Sequence, residues 1–227
     1  MSRKKPEPLW TLMGLLFRSH PWHGVSIGPA SPETLTVYIE LTPHDNVKYE
    51  LDKVTGILKV DRPQRFSSVC PALYGFIPQT YCAERVAEFT ESRTGRKGIA
   101  GDGDPLDILV LAERSISHGN CLLQAVPIGG LRMLDGEEAD DKIIAVMKDD
   151  LSYGRWKDVF DCPESLMARL KHYFLTYKTV PGSSEINCEI THVYDRLEAH
   201  EVIRRAQEDY HARFGDIGSL LTAALRE

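Results

Sequence analysis

A cluster of aspartates at the start of an apolar run constrains this chain more than any other feature. Residues 101–112 read G-D-G-D-P-L-D-I-L-V-L-A, which places Asp102, Asp104 and Asp107 within six positions. The run at 108–111 is typical of a buried strand, and the glycines and proline before it indicate a turn. Two like charges about 4 Å apart repel by roughly 4 kcal/mol at an effective dielectric near 20. A folded site here therefore needs protons or cations, and a hard divalent cation with oxygen ligands is the natural partner.

Two other interpretations of the same stretch have to be weighed. Aspartate, glycine and proline are also the ordinary residues of a hydrated surface turn. An EF-hand calcium loop would use Asp102, Asp104 and Glu113 at its first, third and twelfth positions, but Leu106 and Asp107 then occupy the fifth and sixth. We reject the EF-hand, because the segment that should close it is strand-like. The choice between a turn and a metal site depends on which acids and cations occur elsewhere.

Composition and charge exclude several classes of protein. The 227 residues are 42% hydrophobic and 26% charged, which is enough apolar content for a core. The net charge of −6 argues against a broad nucleic-acid surface, which is normally basic. Five cysteines, without a C-x-x-C pair, favour reduced thiols in the cytoplasm over a disulfide framework or a zinc site. Since no apolar run approaches about 18 residues, we expect no membrane span.

The first residues resemble a short signal peptide. Basic residues at 3–5 precede a mostly apolar stretch at 9–17, but no A-x-A cleavage site follows. A short helix that packs on the body of the protein, or on a partner subunit, is the favoured interpretation. We assign residues 1–33 to an N-terminal extension, 34–214 to a single domain and 215–227 to a C-terminal tail.

Periodicity predicts a compact sheet or barrel with two helices against it. Strand composition occurs at residues 34–41, 47–52, 57–61, 108–111, 121–128, 131–134, 143–146 and 186–193. The second and third of these flank Gly56 as a hairpin, and Gly129 and Gly130 separate the fifth and sixth. Apolar residues at helical spacing predict two helices. The first follows Pro163 and contains Leu166, Leu170, Phe174 and Tyr177; the second spans 196–214 and contains Ala199, Ile203, Ala206 and Tyr210. Residues 83–100 are polar without clear periodicity, and we expect a surface insertion.

A second acidic cluster repeats the first arrangement. Residues 135–142 read D-G-E-E-A-D-D-K and continue directly into the apolar run 143–146. An acidic hairpin tip is the simple alternative. Two acidic turns that each lead into a core strand favour a shared metal site.

The polar residues near the predicted strand ends form one chemical set. Its acids are Asp102, Asp104, Asp107, Asp135 and Asp140, with Glu40 and Glu50 as neighbours; its cations are Lys48, Arg62, Lys142 and Lys178; its hydroxyls are Tyr74 and Tyr177. Acids bind Mg²⁺, while lysine, arginine and tyrosine bind phosphate oxygens. The chain has no Walker loop, no G-x-G-x-x-G and no nucleophile paired to a histidine. The remaining chemistry is metal-assisted attack of water on a phosphoryl group.

These residues occur in motifs that resemble those of the soluble family I inorganic pyrophosphatases. The motifs are D-G-D-P-L-D at 102–107, K-Y-E-L-D-K at 48–53, V-D-R at 60–62, Y-G-F-I-P at 74–78, A-D-D-K-I-I-A-V at 139–146 and H-Y-F-L-T-Y-K at 172–178. The resemblance covers roughly residues 34–210 in the right order. It implies an α+β, mainly β fold, with an OB-like five-stranded barrel, additional strands and two main flanking helices, in a homo-oligomer.

The resemblance also implies a role for each site residue. The tightest Mg²⁺ would be held by Asp102, Asp107 and Asp140, and additional ions by Asp135 and Glu50. Asp104 would be the general base that orients or deprotonates water. The two phosphates of pyrophosphate would be held by Lys48, Arg62, Lys142, Tyr177 and Lys178, with Tyr74 bonded in the site. Cys70 departs from the family pattern, since many relatives carry a tyrosine there.

Two rival functions remain open at this point. One is a phosphohydrolase that acts on another phosphoanhydride, such as a nucleotide, which would need a pocket for the base. The other is a catalytically silent OB-type binding module, which would more naturally lose acids or gain basic and aromatic faces.

Overall fold

The computed structural model of the chain describes residues 18–178 and 188–215. Its strands and helices in chain order are β1 (Leu35–Leu41), β2 (Val47–Leu51), β3 (Leu58–Pro63), β4 (Leu73–Phe76), α1 (Glu84–Thr94), β5 (Ala100–Gly101), β6 (Asp107–Leu111), β7 (Cys121–Asp135), β8 (Glu138–Ala139), β9 (Lys142–Met147), α2 (Glu164–Thr176), β10 (Cys188–Asp195) and α3 (Arg196–Phe214). The helix expected within residues 9–17 and most of the C-terminal tail lie outside the described residues.

Five strands close into a ring. β1 pairs with β4 on one side and β7 on the other, and the circuit is completed through β6 and β9. Every pairing in the ring is antiparallel except that of β6 with β9, which is parallel. Inward side chains such as Val37, Ile108 and Ile143 are completely buried, as strand alternation requires. The predicted mainly β, five-stranded barrel is therefore confirmed, and the hairpin around Gly56 is present as a separate β2–β3 sheet.

The glycine pair in β7 does not separate two strands, as the sequence analysis expected. β7 runs continuously from Cys121 to Asp135, with an irregular register beside Gly129. A Cβ at Gly129 would lie 2.5 Å from the backbone oxygen of Tyr194, and one at Gly130 would lie 2.4 Å from the Tyr194 ring. The glycines therefore allow β10 to pack closely on an unbroken strand, which their usual role as strand breakers does not predict.

Residues 83–100, in which the sequence analysis found no clear periodicity, are mostly helical. They contain α1, whose buried face is formed by Val86, Ala87, Phe89 and Thr90 and packs against α3. The carboxylate of Asp209 on α3 accepts hydrogen bonds from the backbone N–H groups of Ala83, Arg85 and Val86. This cap comes from a distant helix, so the local sequence gives no signal for it. No helix in the described part of the chain is long and apolar enough to cross a membrane.

A completely buried arginine joins the barrel to two helices. Arg132 on β7 donates to Asp141 at 2.6 Å, to Thr90 at 2.8 Å and to Glu198 at 2.8 Å. Its guanidinium also lies 4.9 Å from the centre of the Tyr194 ring. Removal of one partner from such a buried ion pair leaves an uncompensated charge in a medium of low polarity. The cluster is thus a single structural unit that holds α1, α3 and residue 141 together.

We predict that Arg132→Met lowers the free energy of unfolding by about 3–5 kcal/mol, because Asp141 loses its buried counter-charge. Urea unfolding measures the change. Arg93→Met is the matched control, since Arg93 pairs with the same Glu198 at 3.4 Å but its side chain is 49% exposed. The control should cost less than about 1 kcal/mol. Equal losses in the two variants would contradict a special role for the buried arginine.

Candidate active site

A charged cavity of about 240 Å³ opens at one end of the barrel. Eight acids line it: Glu40, Glu50, Asp102, Asp104, Asp107, Asp135, Glu138 and Asp140. Four lysines and three tyrosines face them: Lys48, Lys53, Lys142, Lys178, Tyr74, Tyr173 and Tyr177. All but one of the predicted site residues line this cavity, and the exception is Arg62.

Parallel pairing of two strands explains why distant acids meet. Asp107 at the start of β6 is directly opposite Lys142 at the start of β9. The turns that precede both strands therefore emerge at the same end of the barrel. This brings the aspartates of residues 102–107 beside those of residues 135–140, as the sequence analysis expected for a shared site.

A buried lysine lies between two of these carboxylates. Lys142 is 2% exposed, and its Nζ donates to Asp107 and to Asp140. Burial alone would lower the pKa of Lys142, but the two carboxylates raise it well above its ordinary value. The Tyr74 hydroxyl donates to the same Asp107 oxygen at 2.5 Å, and burial raises the pKa of Tyr74 well above its usual range. Lysine and tyrosine are thus both fixed as proton-bearing donors.

The negative charge in the cavity exceeds what its lysines can neutralise. Burial, followed by the proximity of Asp140 and Asp107, raises the pKa of Asp102 to about 8. The eight acids that line the cavity also outnumber its four lysines. Within residues 18–178 and 188–215, no group of three or more Asp, Glu, His or Cys side chains is arranged to hold a metal ion. Instead, Lys142 bridges the carboxylates of Asp107 and Asp140. The surplus of oxygen donors, without histidine or cysteine in the lining, fits hard cations.

Two further acids pair with lysines nearer the rim. Lys53 contacts Asp104, and both side chains are a little over 40% exposed. Lys178 contacts Asp135 in the same way. The carboxylate of Asp102 accepts the backbone N–H of Asp104 at 2.9 Å, which fixes the shape of the loop that presents both aspartates.

Arg62 lies one layer behind the cavity. Its guanidinium lies 5.7 Å from the centre of the Tyr177 ring, and its Nε is 3.7 Å from the Asp61 carboxylate. Its Nη1 is buried and has no hydrogen-bond partner within the described residues. Lys48 also contacts Asp61, at 3.0 Å, so both predicted phosphate-binding cations of the hairpin depend on this acid.

Cys70 is completely buried and does not line the cavity. An aromatic contact is nevertheless present, because Tyr173 lines the cavity and stacks on Tyr177 with ring centres 5.0 Å apart. Sequence reasoning overlooked Tyr173, although its position directly before Phe174 in a predicted helix was an available signal.

Other lining residues were also missed or undervalued. Glu40 was considered only as a neighbour, yet it is 7% exposed and accepts the Leu51 N–H at 2.6 Å. Burial raises the pKa of Glu40 to about 8. Lys53 was part of a recognised motif but was given no role. Trp22, from outside the expected domain, carried no signal at all, since only the fold brings it to the cavity.

Comparison with known proteins agrees with this geometry. A family model described as inorganic pyrophosphatase matches residues 37–211. The inorganic pyrophosphatase of Chlamydia trachomatis serovar D is 55% identical over 196 residues, which cover 85% of this chain and 94% of that protein. A soluble inorganic pyrophosphatase of Solanum tuberosum is 41% identical over 160 residues, 70% of this chain and 67% of that protein.

A solved structure shows the same likeness in three dimensions. The inorganic pyrophosphatase of Thermus thermophilus superimposes with a TM-score of 0.70 at 29% sequence identity, and the match covers 85% of this chain and 99% of that one. The family match spans most of the chain, and the matched segment carries every predicted site residue. The chain therefore belongs to the inorganic pyrophosphatase family of hydrolases.

Proposed function

We propose that the chain hydrolyses inorganic pyrophosphate to two orthophosphates in the charged cavity, with Mg²⁺ as its cofactor and Asp104 as its general base. The observation that carries this proposal is the meeting of eight acids and four lysines at one end of the barrel. Pyrophosphate and several cations together balance such a set, because the carboxylates bind the cations and the lysines donate hydrogen bonds to phosphate oxygens.

Asp102, Asp107 and Asp140 are the proposed ligands of the tightest Mg²⁺, with Asp135 and Glu50 for additional ions. The raised pKa of Asp102 agrees with this assignment, since burial, and then the charges of Asp140 and Asp107, oppose its ionisation without a bound cation. Bound Mg²⁺ would lower the pKa of a coordinated water and would neutralise charge on the leaving phosphate. The acids themselves contribute fixed oxygen donors on a rigid barrel end.

Lys48, Lys142, Lys178 and Tyr177 are the proposed phosphate ligands in the cavity. Each lysine now contacts a carboxylate, so the arrival of substrate would exchange one anionic partner for another. Arg62 packs behind Tyr177, and its Nη1, which is buried and has no hydrogen-bond partner among the described residues, would have to turn towards the cavity to donate to a phosphate oxygen.

Asp104 is the proposed base because of where it lies. Its side chain is 42% exposed at the rim, where water reaches it, while its backbone is held by Asp102. It would accept the proton of the attacking water, and Lys53 would hold its carboxylate in place. The Tyr74 hydroxyl donates to Asp107 and so orients the Asp107 carboxylate.

The size of the cavity favours pyrophosphate over a nucleotide. Its volume of about 240 Å³ is below the range of roughly 300–1,000 Å³ typical of pockets for larger ligands. A silent binding module has no use for a surplus of buried acids, which costs stability. A homo-oligomeric assembly and a cytoplasmic location stay predictions.

The first test compares the hydrolysis of three substrates, each with Mg²⁺ and with a chelator. We expect Mg²⁺-dependent phosphate release from pyrophosphate, with much slower release from ATP and from a phosphomonoester. A chelator should abolish the reaction, because the four lysines alone cannot neutralise both the acids and the leaving phosphate. Phosphate release measures all three rates. Comparable rates on ATP would contradict the proposed substrate, and release in the presence of chelator would contradict the cofactor.

We predict that Asp104→Asn lowers kcat by about 10²–10⁴-fold, the usual contribution of a general base. The amide keeps the size of the side chain but cannot accept the proton. Asp149→Asn is the control, because Asp149 is an exposed turn residue outside the cavity. Steady-state phosphate release and a thermal unfolding curve are measured for each variant. A folded Asp104→Asn protein with wild-type kcat would exclude Asp104 as the base.

Glu40 provides a pH-dependent prediction for the metal-free protein. Its pKa of about 8 in the folded state lies above its ordinary value of 4.5, so the folded state binds the proton more tightly. This contribution to stability is complete below about pH 4.5 and is lost as the pH rises through about 8. Glu40→Gln, which mimics the protonated acid, should therefore reduce the fall in stability between about pH 5 and about pH 8.

Urea unfolding in chelator across that pH range measures the effect. Glu113→Gln, an exposed position outside the cavity, is the control and should keep the wild-type pH dependence. If Glu40→Gln leaves the slope unchanged, the proton on Glu40 does not contribute to folding.

A further inference from the structure

A short N-terminal segment packs on the rim of the cavity. Residues 18–24 precede the matched region 37–211 and form a turn, closed by the Gly24 N–H to the His20 oxygen at 2.7 Å. Trp22 from this turn is 4% exposed and lines the cavity. The segment is therefore in contact with the site although it lies outside the residues that the family model matches.

Trp22 fixes the segment to the body of the protein. Its indole N–H donates to the Thr80 oxygen at 2.8 Å, and its own backbone oxygen accepts the Gln79 N–H at 2.9 Å. Its ring packs edge-on against Phe214 at the end of α3, with ring centres 5.4 Å apart. These contacts give the segment a fixed position relative to the barrel.

His20 connects the anchored segment to the β2–β3 hairpin. Its Nδ1 accepts the backbone N–H groups of Trp22 and His23, at 3.2 and 3.4 Å, which leaves the proton on Nε2. Nε2 lies 3.2 Å from the backbone oxygen of Lys53, so this nitrogen is the donor to the hairpin. The fit is close: a Cβ on Gly56 at the hairpin turn would lie 2.8 Å from the His20 ring.

The hairpin needs such support, because β2 and β3 form a sheet of their own. It is linked to the barrel by the bond from the Leu51 N–H to the Glu40 carboxylate at 2.6 Å and by the packing of Leu51 with Tyr38 and Phe76. Yet the hairpin carries three of the charged side chains that line the cavity: Lys48, Glu50 and Lys53. Their distance from the aspartates depends on how the hairpin is oriented on the barrel.

We propose that residues 18–24 are a positioning segment for the active site, in which His20 orients the hairpin and Trp22 anchors the turn. This inference rests on the proposed function for its catalytic consequence. The segment does not touch the reacting atoms. It acts through the hairpin, and so it should influence substrate binding more than the chemical step.

Two substitutions of one residue test the proposal. Asparagine can supply an acceptor near the position of Nδ1 but is too short to reach Lys53, whereas glutamine can place a donor near the position of Nε2. We expect His20→Asn to raise the KM for pyrophosphate roughly fivefold, the usual effect of one lost hydrogen bond, with kcat within about twofold of wild type. His20→Gln should restore most of the affinity. Val54→Ala, 89% exposed on the same hairpin, is the matched control and should change neither parameter.

Amide hydrogen exchange supplies a readout that does not depend on hydrolysis. In metal-free protein, His20→Asn should speed exchange at the hairpin amides of Asp52 and Gly56, while β7 keeps wild-type protection. Faster exchange throughout β7 would show general destabilisation and overturn the proposal, as would equal KM values for the asparagine variant and wild type. Absence of hydrolysis in the wild-type protein would instead refute the proposed function, and the exchange pattern would still decide whether His20 orients the hairpin.

Discussion

The site depends on a lysine ammonium group buried between two carboxylates. Lys142 holds Asp107 and Asp140 together at a distance where their charges would otherwise repel. Because the group is only 2% exposed, water screens these interactions weakly. In the proposed reaction, phosphate and metal ions would enter this arrangement by exchange of partners, since the cavity already contains both signs of charge. The folded protein therefore holds its charges in place before any ligand arrives.

The barrel keeps these charges together through two supports that lie outside the cavity. The parallel pairing of β6 and β9 puts both acidic turns at one end. Behind them, the buried pair of Arg132 and Asp141 fixes the residue that stands between Asp140 and Lys142 in the chain. A displacement of residue 141 would move both of its chain neighbours, Asp140 and Lys142, which line the cavity. Under the proposed function, the network of buried charges therefore contributes through position rather than through contact with substrate.

Particular residues show why some features could be predicted and others could not. The strands with clear alternation and the helix at 196–214 were placed almost to the residue, because their periodicity reflects burial on one face. α1 was missed, since its N-terminal N–H groups are capped by Asp209 from a distant helix. Gly129 was wrongly interpreted as the end of a strand. A side chain is excluded there by Tyr194 and Val159, which are distant in sequence, so the local sequence gives no signal.

The sequence by itself determined the residue types of the site: the aspartate clusters, the lysines and the tyrosines stand in ordered motifs that resemble those of one family. Only the tertiary structure decided which of them share a cavity, that Arg62 lies behind it, that Trp22 lines it and that His20 contacts the β2–β3 hairpin. The physical reason is that residue type fixes what a side chain can bind. Strand pairing and packing between distant segments fix what it can reach.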